Sequence, residues 1–213
     1  RRAKLILITL NNGWSLVIHL KLTGQLIYFS NLEQAEIHKH THLIYFFNDG
    51  SVLLHNDLRQ FGYVKLIKTE KLKELLEKEE NYGPEPLEKK FTLKKFKELL
   101  TQRPQAKIKP LLMDQTFLAG IGNVYSDEIL FYAKVRPDRK VKDLQPEEVN
   151  RIYQGIKKIL PLAIKYQGTS ADQYVDTRGQ PGKYIQFLKV YRKENHPCPQ
   201  CGTKIKRIRL GGR

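Results

Sequence analysis

Between Leu5 and Lys68 apolar and polar residues alternate in short runs separated by turn residues. Leu5–Leu10 and Trp14–Leu20 flank Asn11-Asn12-Gly13, and Leu43–Phe47 and Ser51–His55 flank Asn48-Asp49-Gly50. Both tripeptides suit hairpin turns, because Asn and Gly tolerate the positive φ that tight strand connections require. Residues 4–68 are therefore expected to form an antiparallel β region. From Glu70 the composition changes to Lys, Glu and Leu at helical spacing, until Gly83-Pro84-Glu85-Pro86 interrupts it as a linker and candidate domain boundary. Beyond it, Thr92–Thr101 reads as a helix with Phe96, Leu99 and Leu100 on one side and lysines on the other. In 146–166, Val149, Ile152, Tyr153, Ile156, Leu160 and Ala163 recur at helical spacing, Pro146 and two glutamates occupy the first turn, and Gly168 follows the end. A long polar loop is expected from Asp176, then a strand at Phe187–Tyr191. The pattern predicts an α+β chain of two domains.

Composition sharpens this picture. With 40% hydrophobic residues over 213 positions the chain can bury a core, which excludes generic disorder. Its 38 Lys+Arg against 22 Asp+Glu leave a net charge of +16. Residues 1–80 hold 11 basic and 9 acidic side chains (+2), and residues 81–213 hold 27 and 13 (+14). A field of this size attracts polyanions, with nucleic acid the leading candidate and an acidic membrane surface the other. No run approaches the ~20 apolar residues of a membrane span, and no signal-peptide pattern opens the chain, so a cytoplasmic protein is expected. The chain begins at Arg1-Arg2-Ala3-Lys4 without an initiator Met and stops at Arg213 soon after an unpartnered Cys pair, as expected of a fragment.

Several constellations could carry chemistry. Cys198-Pro199-Gln200-Cys201-Gly202 has the spacing of a zinc knuckle, in which two thiolates face one tetrahedral ion. A redox pair or two unrelated cysteines are the competing readings, and His196 could be a third ligand. Ala119-Gly120-Ile121-Gly122-Asn123 lacks the third glycine of a dinucleotide loop. It reads instead as a tight turn delivering Asn123 to a helix N-terminus, for phosphate or for ordinary N-capping. In Asp57-Leu58-Arg59-Gln60-Phe61-Gly62, an extended loop would project Arg59 and Phe61 to one side as a wedge for an opened helix, the alternative being a core Phe. His38-Lys39-His40-Thr41-His42 suits phosphate contact better than metal, since no carboxylate or thiol is in register. Asp114, Asp127 and Glu128 show no spacing that marks an acid/base pair.

Taken in order, RRAK, HLKLTG, KHTH, DLRQFG, GPEPL, IKPLLMDQTFLAGIGNVYSDEILF, the GQPG loop and CPQCG followed by GGR resemble the bacterial formamidopyrimidine-DNA glycosylase family. That resemblance implies a partial N-terminal β-sandwich over 1–82, a helix–two-turn–helix DNA-binding module over 83–168, and a lesion-recognition loop with a partial zinc finger over 169–213. It implies excision of oxidised purines such as 8-oxoguanine and formamidopyrimidines from duplex DNA, followed by β,δ-elimination at the abasic site. By the same resemblance Lys4 contacts phosphate and donates a proton in β-elimination, and Arg213 grips the lesion phosphates and assists δ-elimination. His19, His40, Lys109 and Asn123 match DNA-contacting positions. The resemblance further implies that Arg59 faces the orphaned cytosine, Phe61 wedges the step and Leu22 fills the void. One structural Zn²⁺ is implied, with Cys198 and Cys201 supplying half of its ligands and a second Cys pair beyond residue 213 the rest. The partner that the resemblance implies is double-stranded DNA containing oxidised bases or abasic sites, and a monomer is expected.

This sequence departs from the family pattern in three places. Leu22 stands where the family usually has Met, which alters the fit of the void filler. Thr41 replaces an acidic residue between the two histidines. The N-terminal proline amine and glutamate that start the family's reaction are not in this sequence, so the activity is assigned to an intact parent and little excision is expected of the chain alone. Two rivals stand beside this reading. One is the sister group of glycosylases acting on oxidised pyrimidines; the other is a non-enzymatic zinc-knuckle nucleic-acid binder, which explains the charge but not the ordered set Lys4, Arg59, Phe61 and Asn123.

Overall fold

Both expected hairpins form. A computed structural model describes residues 2–76, 81–171 and 173–210. Among them are six strands: β1 (Leu5–Thr9), β2 (Trp14–His19), β3 (Gly24–Phe29), β4 (Thr41–Phe46), β5 (Val52–Asp57) and β6 (Tyr63–Lys68). The β1–β2 and β4–β5 connections pass through Gly13 at φ 82° and Gly50 at φ 83°, the left-handed conformation that glycine adopts without a steric cost. The chain divides into two compact units, Arg1–Lys73 with Ala163–Gln186, and Glu74–Leu162 with Phe187–Arg213.

The first unit contains two antiparallel sheets, ordered β1-β2-β6 and β3-β5-β4. Ser15, Val17 and Ile18 of the central strand β2 are buried, as are Val52, Leu54, His55, Asn56 and Asp57 of the central strand β5. In the β4–β5 ladder the register shifts between Thr41 and Leu43, a bulge that frees His42 from strict alternation. Residues 163–186 join this unit through hydrogen bonds to their main-chain carbonyls. The Tyr28 N–H donates to the Thr177 carbonyl at 2.8 Å, and Gln25 Nε2 to the Gln173 carbonyl at 2.7 Å.

In the second unit the helical segments carry their own start signals. After a single turn at the unit boundary, α1 (Leu72–Glu74), helix α2 (Leu93–Thr101) is capped by Thr92, whose side chain accepts the Lys95 N–H at 3.2 Å. The next helices are α3 (Ile108–Met113), α4 (Asn123–Ala133) and α5 (Pro146–Lys165), the last of which ends in the first unit. Pro146 opens α5 where its missing N–H is harmless, and the Gln145 N–H donates to the Glu148 carboxylate at 2.8 Å. Gly168, at φ 86°, closes the helix by donating to the Ala163 carbonyl at 2.8 Å. Pro161 sits inside α5, a break in the helical pattern that the apolar spacing overrides.

Phe91, Phe96, Leu112, Leu118, Ile121, Ile129, Ile152 and Ile156 form the core of this unit. The Gly83–Pro86 segment, expected as a linker, is held against it. The Gly83 N–H donates to the Gln115 carbonyl at 2.9 Å, and the Ala119 N–H to the Pro84 carbonyl at 3.0 Å. Lys157 Nζ donates to the Pro86 carbonyl at 2.8 Å while resting over the Phe91 and Tyr153 rings. A Cβ on Gly83 would lie 2.5 Å from the Phe117 carbonyl oxygen, so this approach requires glycine. The strand expected at Phe187–Tyr191 does not form. Tyr184–Phe187 is a 3₁₀ turn, and the N–H groups of Lys189, Val190 and Tyr191 converge on one buried carboxylate instead of alternating into a ladder.

Candidate nucleic-acid interface

In the first unit six of the expected site residues surround the ends of β2 and β5. Lys4 lies in a tight turn closed by reciprocal main-chain bonds between Arg2 and Leu5, at 3.2 and 2.7 Å. Its two central residues, Ala3 (φ 47°) and Lys4 (φ 70°), are both left-handed without being glycine. This strained geometry fixes the point from which the lysine side chain leaves the backbone. Leu5 is the strand partner of His19, and His19 in turn of Tyr63. His19 Nδ1 accepts the Lys21 N–H at 2.9 Å, and the His19 and Tyr63 rings lie 5.7 Å apart.

Leu22 is 62% exposed at the tip of the β2–β3 turn, and Phe61 is 55% exposed beside β6. Phe61 is thus no core residue, although an apolar side chain next to a strand is more often buried. The Arg59 guanidinium stacks over the Phe61 ring at 4.7 Å from its centroid. The loop carrying them is tied down by Asp57, which is only 2% exposed. Its Oδ1 accepts the Thr23 hydroxyl and the Arg59 N–H (3.2 Å), and its Oδ2 the Gly62 N–H (2.7 Å). Burial alone would raise the Asp57 carboxyl; hydrogen bonds from Thr23, Gly62, Arg59 and Gln60 outweigh it and hold the group below the usual carboxylate range. A Cβ on Gly62 would meet Asp57 Oδ2 at 2.8 Å, so glycine is needed there for close approach.

The same aspartate touches the histidine segment through its backbone. The Asp57 N–H donates to the His40 carbonyl at 2.9 Å, and the Asp57 carbonyl meets His42 Nε2 at 2.9 Å. The Thr41 hydroxyl donates to Asn56 Oδ1 at 2.8 Å. His55, 5% exposed, has no hydrogen-bond partner on either ring nitrogen among the described residues. Burial lowers its pKa, with the Asp57 charge pulling upward and His42 adding to the decrease.

In the second unit, α3, two turns and α4 position Lys109 and Asn123. Gln115 organises the turns: its Nε2 donates to the Met113 and Ile121 carbonyls (2.8 and 2.9 Å), and its Oε1 accepts the N–H of Gly120, a residue at φ 94°. Gly122 is the N-cap of α4 and Asn123 its first helical residue, so Asn123 is not the capping side chain. Its Oδ1 is buried without a hydrogen-bond partner among the described residues. Lys109 Nζ pairs with Asp127, one turn beyond Asn123, at 2.8 Å. Burial pushes the Asp127 carboxyl up, and the Lys109 ammonium offsets part of that.

Neighbouring Glu128 was not singled out by the sequence. It is 3% exposed and accepts the N–H groups of Lys189 (2.9 Å), Val190 (3.0 Å) and Tyr191 (3.0 Å). The signal for it is an acid placed beside the apolar run Ile129-Leu130-Phe131 on a helix. The segment it holds leads to a narrow hairpin in which Cys198 N–H donates to the Thr203 carbonyl and Gly202 N–H to the Cys198 carbonyl, both at 2.9 Å. The Gln200 N–H faces Cys198 Sγ at 3.4 Å, and Gly202 is left-handed at φ 73°. Hydrogen bonds from Thr203 and Cys198 lower the Cys201 thiol pKa. Such N–H···S turns favour thiolates, the form that binds metal. Among the described residues no group of three or more His, Cys, Asp or Glu side chains gathers to complete a site. Arg213 lies outside the described residues. Among the described residues no helix is long and apolar enough to cross a membrane.

Two family models match the chain, described as the formamidopyrimidine-DNA glycosylase N-terminal domain (residues 1–64) and the formamidopyrimidine-DNA glycosylase H2TH domain (residues 82–174). The formamidopyrimidine-DNA glycosylase of Pelotomaculum thermopropionicum is 43% identical over 213 residues, which cover 100% of this chain and 76% of that protein. Among solved structures, Lactococcus lactis Fpg in complex with abasic-site DNA has a TM-score of 0.91 at 34% identity, covering 100% of this chain and 76% of that one. A second Lactococcus lactis Fpg complex, with DNA containing Fapy-dG, has a TM-score of 0.89 at 34% identity and the same coverage.

Proposed function

The chain belongs to the formamidopyrimidine-DNA glycosylase family, and on that premise we propose how its residues serve base excision. The activity is that of a DNA glycosylase and abasic-site lyase in the repair of oxidised purines. A glycosidic carbon is inaccessible in stacked DNA, so the damaged nucleotide has to leave the helix before it can be attacked. Something must then occupy the vacated position. The observation that carries this reading is the pair of exposed apolar side chains, Leu22 and Phe61, standing on short loops held by hydrogen bonds. Exposed on rigid supports, they suit a wedge between bases, with Arg59 beside Phe61 to face the orphaned cytosine.

The remaining residues serve the phosphates. Lys4, presented by its strained turn, contacts phosphate and donates a proton during β-elimination, and His19 and His40 line the backbone path. Lys109 and Asn123 hold the strand at the two-turn module, whose residues 83–168 hold 17 basic and 10 acidic side chains (+7), half of the +14 of residues 81–213. Arg213 assists the second elimination. A cationic surround stabilises the phosphate leaving groups of both steps. Cys198 and Cys201 supply two thiolates to a structural zinc ion, which when bound would fix the tip of the hairpin.

The test is binding to a duplex carrying a tetrahydrofuran abasic-site analogue, because it needs no bond cleavage. The protein should bind that duplex at least about tenfold more tightly than an intact one, a difference of roughly 1.4 kcal/mol. The preference should be stronger with cytosine than with adenine opposite the site. Equal affinity for damaged and intact duplexes would overturn the reading.

A further inference from the structure

Leu22 and the Arg59–Phe61 pair arrive from different turns, 37 residues apart at their nearest. Each turn is rigid in itself. In the first, Gly24 N–H donates to the Leu20 carbonyl at 2.9 Å, and a Cβ on Gly24 would lie 2.5 Å from that oxygen. In the second, Gln60 is left-handed at φ 56° and Gly62 abuts Asp57. What joins them is a compact polar knot. The Thr23 hydroxyl donates to Asp57 Oδ1 and accepts the Arg59 N–H at 3.0 Å, while Asp57 Oδ1 also accepts the Arg59 N–H at 3.2 Å. Thr23 adjoins Leu22, and Arg59 and Gly62, which bracket Phe61, both donate to the same carboxylate.

We propose that Asp57 and Thr23 are positioning residues that couple the two turns, so that Leu22, Arg59 and Phe61 enter the duplex as one preformed wedge. This rests on the reading that those three side chains fill the vacated base position. The chemistry fits a latch better than a generic core contact. The knot lies at strand ends beneath exposed side chains, and a carboxylate accepting several donors holds its geometry more rigidly than apolar packing would. Two turns already fixed relative to each other have less freedom to lose on insertion, so their pre-organisation appears as affinity for DNA with a gap in the stack. Intact DNA offers no gap and gains nothing from the latch.

Thr23→Val tests the coupling, since it removes the hydroxyl at nearly constant volume and leaves the Asp57 bonds to Arg59 and Gly62 in place. Affinity for the tetrahydrofuran-site duplex should fall on the order of tenfold, while affinity for intact duplex and its salt dependence stay unchanged. Thr23→Ser should restore the preference. The sharper arm uses Leu22→Ala and Phe61→Ala singly and together. In the parent protein their losses should combine to less than the product of the two factors, because each insertion depends on the other; on the Thr23→Val background the factors should multiply. Asp57→Asn, which also sets an amide NH₂ against the Arg59 or the Gly62 N–H, should lose at least as much of the abasic-site preference as Thr23→Val. Preserved abasic-site preference in Thr23→Val, an equal loss on intact and gapped DNA, or multiplying factors in the parent would each overturn the latch. If the parent itself shows no preference for the abasic-site duplex, the wedge reading and the latch fall together. A parent preference that Thr23→Val leaves intact removes the latch alone.

Discussion

Replacing Glu128 with Gln should release residues 189–191 while leaving the helices folded. The carboxylate is 3% exposed, and its bonds to three successive N–H groups are 2.9–3.0 Å long. In the amide, one oxygen remains at the position of Oε1 and still serves Val190 and Tyr191, at neutral rather than charge-assisted strength. The NH₂ group replaces Oε2 and opposes the Lys189 N–H, leaving a donor facing a donor. Losing charge assistance on two bonds and orphaning a third donor costs about 3 kcal/mol in total. At 1.4 kcal/mol per decade this is about a hundredfold loss of protection. Amide hydrogen exchange is the appropriate assay because the effect is local. The amides of Lys189, Val190 and Tyr191 should exchange about two decades faster in Glu128→Gln, while those of Leu16 and Leu54 in the central strands stay unchanged. Glu128→Ala should cost more, because all three donors lose their acceptor. Wild-type protection of the three amides in Glu128→Gln would refute the view that this carboxylate organises the approach to the cysteine hairpin.

Two further outcomes follow from charges inside the units. Asp127→Asn removes the partner of Lys109 and, with it, the penalty of a buried carboxylate, so fold stability should change little. If Lys109 serves phosphate, the variant should bind intact duplex more tightly and steepen the log–log salt slope by up to about one unit; a flatter slope measured by anisotropy titration would contradict this. Acid should loosen the first unit in two stages. His55 has its pKa lowered in the fold, so between its folded and unfolded values the unfolded chain binds more protons, and stability falls as pH drops below the ordinary histidine range. Asp57 is likewise depressed, so its contribution is complete above the ordinary carboxylate pKa and disappears as pH falls through its lower folded value. His55→Leu should abolish the first stage in a pH series of urea unfolding, and persistence of that stage would show that another group titrates.

Local signals were legible along the chain wherever the backbone itself is the constraint. Gly13 and Gly50 mark hairpins because they accept positive φ, Thr92 marks a helix start through its hydroxyl, and Pro146 and Gly168 bracket α5. The ordered motifs pointed to a DNA glycosylase family, and the charge pattern assigned the phosphate-binding load to residues 81–213. Phe187–Tyr191 is rich in aromatic and β-branched residues that suit a strand, but the N–H groups of Lys189, Val190 and Tyr191 go to Glu128. The tight turn before Asn123 suits either N-capping or a phosphate ligand, the surrounding basic helices favour phosphate, and Gly122 holds the cap position.

The sequence by itself determined the turns, the helix limits and the residue types that can meet DNA, all of which depend on φ, ψ and spacings of a few residues. Only the tertiary structure decided which carboxylates hold those residues in place. Asp57 meets Thr23 from 34 positions away and Glu128 meets Lys189 from 61. Burial makes such polar groups take hydrogen-bond partners from wherever the chain brings them, and no short-range pattern encodes that choice.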